Sequence, residues 1–207
     1  MKTAILTILA IGVLLFIGCS RPTVSEPSIP ADFTTYTDES GLFSISYPPN
    51  WELALSSLEA AEQAAKELAT SIKSDAPVLN AALLFLAGVP VAAGYDPNVN
   101  ITTQPSQGYT LEEGVEISVR QAKKIVEGYR EFSRVKTRVD GKDVVILDCE
   151  GAFPGYDKNR YLQMVVLSGK VAWVVTCTAS SDEFANYKED FNAIVRSLLI
   201  LQSSTTP

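Results

Sequence analysis

Along Phe43-Ser44-Ile45-Ser46-Tyr47 apolar and polar residues alternate with a period of two, the pattern of a β-strand with one buried face. A partner strand is expected over residues 33–37, because Asp38-Glu39-Ser40-Gly41 supplies a turn between them. Beyond Trp51 the period becomes that of a helix. Leu58, Ala61, Ala65, Leu68 and Ile72 recur at helical spacing behind Ser56-Ser57-Leu58-Glu59, a capping box with Ser56 as N-cap. Glu62 and Lys66 add a favourable pair one turn apart, and the helix is predicted to end near Lys73. The same box returns at Thr110-Leu111-Glu112-Glu113. It opens a helix through about Glu127, with Leu111, Val115, Val119, Ala122 and Val126 inward. It appears a third time at Ser180-Ser181-Asp182-Glu183, followed by an apolar stripe of Phe184, Tyr187, Phe191, Ile194, Val195 and Leu198.

Strands fill the intervals. Residues 81–87 and 99–103 read as a pair between the first two helices. Residues 134–139 turn at Asp140-Gly141 into 143–149, and residues 160–167 turn at Ser168-Gly169 into 171–178, a meander of four strands. The predicted order is β-β-α-β-β-α-β-β-β-β-α. Hairpins dominate it, so the expected fold is α+β, a mostly antiparallel sheet covered by helices.

The first eighteen residues have a different character. Lys2 is followed by an apolar stretch of about fourteen residues ending at Ile17, too short for the roughly twenty that span a bilayer and laid out as a secretory signal. Phe16-Ile17-Gly18-Cys19 resembles the bacterial lipobox, with Phe16 where Leu is commoner. The resemblance implies cleavage between Gly18 and Cys19, and acyl chains such as palmitate on Cys19 that bind the chain to membrane lipid. Residues 20–31 (SRPTVSEPSIPA) carry three prolines and no periodicity, which predicts an extended tether reaching about 35 Å. The expected organisation is a signal peptide over 1–18, lipidated cysteine and tether over 19–32, one domain over 33–201, and a tail over 202–207.

Composition narrows the functions available. The chain has 207 residues, 46% of them hydrophobic and 20% charged, with 12 Gly and 11 Pro, which describes a globular domain. A mean hydropathy of +0.12 is raised by the apolar start. The net charge of -7 argues against nucleic acid as a partner. There is no histidine, which removes Ser-His and Cys-His catalysis and imidazole-bound zinc within this chain.

The order of elements, the opening Gly41-Leu42-Phe43-Ser44-Ile45-Ser46-Tyr47-Pro48-Pro49-Asn50-Trp51 and the C-terminal hairpin closed by a helix resemble the PsbP-like family. That family includes the extrinsic PsbP subunit of photosystem II, a Ran-binding nuclear protein and bacterial lipoproteins. The resemblance spans residues 33–201 and implies a PsbP-like α-β-α sandwich with binding or assembly roles and no shared catalytic constellation. Tyr47-Pro48 and Trp51 match fold positions in it, and metal sites built on imidazole do not transfer.

Four features were candidates for chemistry. Cys149 and Cys177 lie on strands separated by a third, about 9.6 Å apart by strand spacing, where a disulfide wants alpha carbons within about 7 Å. They are expected to be free and buried. The apolar segment 78–93 is interrupted by Asn80, Gly88 and Pro90 and reads as a strand followed by a buried loop, in place of a membrane contact. Asp38-Glu39, Asp140 with Asp143, and Asp157 with Asn159 are turn residues without the ligand spacing of a calcium loop. Residues 151–160 (GAFPGYDKNR) form the longest connection of the meander and gather Phe153, Tyr156, Lys158 and Arg160, residue types that serve partner recognition.

No nucleophile elbow, P-loop or Rossmann pattern is present. The expectation is a membrane-anchored, extracytoplasmic, non-catalytic binding or assembly module for an envelope protein, with no cofactor and no metal. The alternatives are a small-molecule or envelope-polymer binding lipoprotein and a histidine-free hydrolase. The expected location is the bacterial cell envelope, on the outer face of the cytoplasmic membrane or on the outer membrane.

Overall fold

The computed structural model describes residues 28–55, 82–91 and 94–201. Gly18, Cys19 and the first predicted helix, over Ser56 to Lys73, lie outside the described residues. Within them run β1 (Thr34–Thr37), β2 (Phe43–Tyr47), β3 (Glu52–Leu55), β4 (Ala82–Val91), β5 (Gly94–Pro105), α1 (Leu111–Ile125) and β6 (Glu127–Val139). The remainder is β7 (Lys142–Ala152), β8 (Asn159–Ser168), β9 (Val171–Ser180), α2 (Phe184–Arg196) and β10 (Leu199–Ile200).

Seven strands form one sheet in the order β3-β4-β5-β9-β8-β7-β6, and β1-β2-β10 form a small one. Every pairing is antiparallel. The α+β class expected from the hairpins is the one observed.

The middle of the large sheet is buried on both faces. On one face Val144, Ile146, Leu162, Met164, Val166, Trp173, Val175 and Cys177 join Phe184, Phe191, Ile194 and Val195 of α2 with Phe43 and Ile45 of the small sheet. Phe43 meets Trp173 edge-on, with ring centroids 5.8 Å apart, and Phe85 of β4 at 6.4 Å. On the opposite face Val145, Leu147 and Val165 pack against Val115 and Val119 of α1. Successive side chains of one strand thus belong to two different cores, which is the period-two geometry used twice.

β2 departs from the one-faced strand expected. All five of its residues are buried, Ser44 and Ser46 included, because β1 and β10 flank it and α2 lies beside it. The Ser46 amide donates to the Ser197 hydroxyl at 2.8 Å, and that hydroxyl reaches the Ile194 carbonyl at 2.7 Å, so a polar strand residue is buried with its bonds made.

The capping boxes divide. At Thr110 both halves are present: the Glu113 amide donates to the Thr110 hydroxyl, and the Glu113 carboxylate accepts from the Thr110 amide at 2.9 Å. At Ser180 the expectation is corrected. Ser180 is the last residue of β9, paired with Asn159, and the helix opens after Glu183, which occupies the cap position without a side-chain cap bond. The ladder holds Ser180 in the sheet, and Phe184, fully buried, sets where the helix begins.

Further differences follow from pairing that local pattern does not carry. α1 stops at Ile125 with Val126 extended, and β6 begins at Glu127, well before the expected residue 134. β4 continues through Gly88 and Pro90, where a buried loop was expected. A Cβ on Gly88 would fall 2.4 Å from the Pro97 carbonyl oxygen, so only glycine lets β5 approach there. β3 and β10 are too short to show a period. The turn at Asp140-Gly141 is as expected, both residues having positive φ (47° and 71°), as a two-residue hairpin of the favoured hand requires.

Cys149 and Cys177 are free and buried. Cys149 pairs across to Tyr161, and Tyr161 to Thr178, so β8 separates the thiols; Cys177 also belongs to the α2 face, whereas Cys149 shares the α1 face with Leu147. Burial raises the Cys149 thiol to about 11, against some lowering by its hydrogen bond with Tyr129, and pushes Cys177 well above the ordinary range.

Two predictions follow from this packing. In urea titrations, Thr110→Ala is expected to cost about 1 kcal/mol and Ser180→Ala less than about 0.5 kcal/mol. A protein thiol ionises near 9.0 when unfolded, so the stability tied to the raised values is complete below that pH and is lost as pH rises from 9.0 toward about 11. The urea midpoint should fall over that window, and Cys177→Ala should flatten the fall.

Candidate functional site

The residues singled out between β7 and β8 converge on one corner of the large sheet, where the ends of β6, β7 and β8 meet the start of α2. Arg130, Glu150 and Arg160 stand in register across β6, β7 and β8. Asp148, one cross-strand position inward on the same face, is buried.

Arg160 is fixed on every side. Its Nε and Nη2 donate to the two carboxylate oxygens of Asp148 at 2.7 and 2.8 Å, a bidentate pair. Its guanidinium carbon lies 4.1 Å from the ring centroid of Phe132 and 4.7 Å from that of Phe184. One cation therefore ties β8 to β7, to edge strand β6 and to the first residue of α2, with ring quadrupoles adding to the ion pair. The Asp148 bond raises the Arg160 pKa, burial opposing it. Arg160 thus acts first as a brace, with its donors turned inward.

The loop it anchors is held from both ends. Lys158 Nζ lies 2.5 Å from a Glu150 oxygen, and that contact holds the Glu150 carboxyl below its usual range. The Ser181 amide donates to the Lys158 carbonyl at 3.2 Å, joining the loop to the turn before α2. The Tyr156 amide donates to the Phe153 carbonyl at 2.9 Å, closing a turn around Pro154-Gly155. Phe153 is half-buried, and Tyr156, at 63% exposure, is the most exposed large apolar side chain among the described residues. Of the four residues expected to form a patch, Tyr156 is thus presented to solvent, Phe153 partly so, and Lys158 and Arg160 secure the loop.

Sequence reasoning missed two members of this corner. Phe132 is exposed at a bulge of β6, and Arg130 lies over its ring at 4.5 Å. A bulge puts an extra residue between paired neighbours and breaks the alternation by which a strand face is read from sequence.

Other candidate chemistry stays apart from this corner. Asp96 is raised by burial and by Glu183, against a bond from the Ser180 backbone. Asp38 uses its carboxylate for the turn, accepting from the amides of Ser40 and Leu42 at 3.1 and 3.3 Å. Among the described residues no three metal-ligating side chains cluster, and no helix is long and apolar enough to cross a membrane. Val139, Val144, Met164, Val166, Leu198 and Ile200 line an open cleft with Asp140 and Lys142 at its margin.

Comparison with solved structures places this architecture. The solution structure of cyanobacterial PsbP from Synechocystis superposes with a TM-score of 0.52 at 13% identity, covering 83% of this chain and 94% of that one. A Pseudomonas aeruginosa protein of unknown function, a putative regulator, matches at 0.49 and 12% identity over 84% of this chain and all of that one. LpqN of Mycobacterium tuberculosis, involved in cell envelope biogenesis, matches at 0.45 and 11% identity over 82% of this chain and 91% of that one. The chain has the PsbP-like fold that its sequence resembles. No family model matches it, and no curated protein sequence does.

The brace is testable. Asp148→Ala leaves a confined guanidinium unpaired and is expected to cost roughly 3 kcal/mol in urea unfolding. Lys158→Ala removes an exposed partner and should cost no more than about 1 kcal/mol.

Proposed function

We propose that the protein is a lipid-anchored, extracytoplasmic binding or assembly module for an envelope protein, acting without catalysis through the loop between β7 and β8. In this reading residues 1–18 are removed, Cys19 carries acyl chains in the membrane, residues 20–32 are the tether, and the domain over 33–201 meets the partner. The location is the cell envelope, on the outer face of the cytoplasmic membrane or on the outer membrane.

The observation that carries the reading is Tyr156, a large aromatic side chain exposed on a loop braced by two ion pairs. A protein gains nothing in stability from fixing an exposed aromatic, whereas a partner gains an anchor whose ordering has already occurred. The Phe16-Ile17-Gly18-Cys19 sequence supports the anchor.

Two measurements test this. Radiolabelled palmitate should enter the wild type and be lost, with membrane association, in Cys19→Ala; retention of both would overturn the anchor. A photoreactive amino acid at position 156 should yield one dominant protein adduct in intact cells, and the same group at Lys188 should not. Equal, diffuse adducts at both positions would count against the binding surface.

A further inference from the structure

We propose that this surface recognises an acidic side chain of its partner, with a carboxylate docking on the guanidinium of Arg130. The inference rests on the binding reading above and assigns the chemistry of the partner.

Asp148 is taken by Arg160, Glu150 by Lys158 and Glu131 by Arg134. Arg130 is exposed and makes no salt bridge among the described residues, although it stands beside Glu150. Asp148, Glu150 and Glu131 are therefore each engaged by another cation, while the Arg130 guanidinium forms no ion pair of its own among the described residues and acts on Glu150 only through its charge.

That guanidinium is oriented before any partner arrives. It lies 4.5 Å from the Phe132 ring centroid, and Phe132 is in turn held against Arg160, which Asp148 and Phe184 hold in place. Stacking on the ring leaves the planar fork of donors free at its rim, the geometry that meets a carboxylate with two parallel hydrogen bonds. Because the stack is fixed by the fold, little side-chain freedom remains to be lost on binding. Phe132 provides exposed apolar surface beside the charged contact, and Tyr156 is exposed on the loop that follows β7.

Two carboxylates flank the docking position. Glu150 stands in register with Arg130, and Asp148 lies one position further in. A doubly charged phosphate doubles both its attraction to the guanidinium and its repulsion from these carboxylates, so the choice of a carboxylate follows from the proposed protein partner, whose ordinary anionic side chains are those of Asp and Glu. The expected partner thus carries Asp or Glu at its contact point.

The test uses the full chain in detergent micelles with a defined probe, N-acetyl-tetraglutamate amide, against the tetraglutamine peptide and inorganic phosphate, read by NMR at the arginine Nε–Hε groups. Tetraglutamate should shift the Arg130 signal saturably and leave Arg160 unmoved. Affinity should fall about tenfold or more in Arg130→Gln, with part of it restored in Arg130→Lys, and tetraglutamine and phosphate should bind more weakly. No saturable shift at millimolar tetraglutamate, undiminished binding in Arg130→Gln, or tighter binding of phosphate would each overturn the proposal. In cells, a position-156 adduct that survives Arg130→Gln undiminished overturns the Arg130 assignment and leaves the binding reading standing. Absence of any adduct in the unsubstituted protein fails both.

Discussion

Three adjacent strands that are apolar on both faces control this structure. β7, β8 and β9 present Val144, Ile146, Met164 and Val175 to one side and Val145, Leu147 and Val165 to the other. A sheet of this kind cannot leave either face in water, at roughly 25 cal/mol per Å² of apolar surface. α1 covers one face, and α2 with the small sheet covers the other. The layered architecture shared with cyanobacterial PsbP is the consequence, and it survives at 13% identity because it needs apolar alternation more than particular residues.

The two-sided core also explains why a charged residue sits at the edge of the packing. Toward the β7–β8 loop the apolar run along β8 gives way to Arg160, and the sheet face there must still be closed against the start of α2. Arg160 does so with its planar group between Phe132 and Phe184 and its charge on Asp148. The loop beyond it inherits that rigidity, which is why Tyr156 and Arg130 stand on fixed supports. On the opposite face the cross-links are of a different kind: Lys136 with Glu112 and Arg134 with Glu116 pair β6 to α1 at exposed positions. Such pairs align two elements without contributing much stability.

The sequence carried the meander and the two helices among the described residues, because hairpin turns and helical periodicity are local signals. Asp140-Gly141 and the Thr110 box can be read without knowing what lies across the chain. The Ser180 box has the same spelling as the Thr110 box but is spent on strand pairing, a competition decided by Asn159, twenty-one positions away. β3 and β10 depend on partners distant in sequence and have too few residues for a period. The candidate patch was legible in composition and only partly in role. Arg160 and Tyr156 are both residue types found at interfaces, yet only register across β7 and the ring of Phe132 distinguishes the brace from the anchor. Arg130 carried no local mark, since its significance lies in the carboxylates already claimed by its neighbours.

The central claim is that the corner formed by β6, the β7–β8 loop and the start of α2 is occupied in the cell envelope. Hydrogen exchange compares the protein in isolated envelope membranes with the same protein purified in detergent. Slower exchange confined to residues 127–132 and 153–158, with α1 unchanged, is the predicted result. Identical exchange at that corner in both preparations would contradict the account.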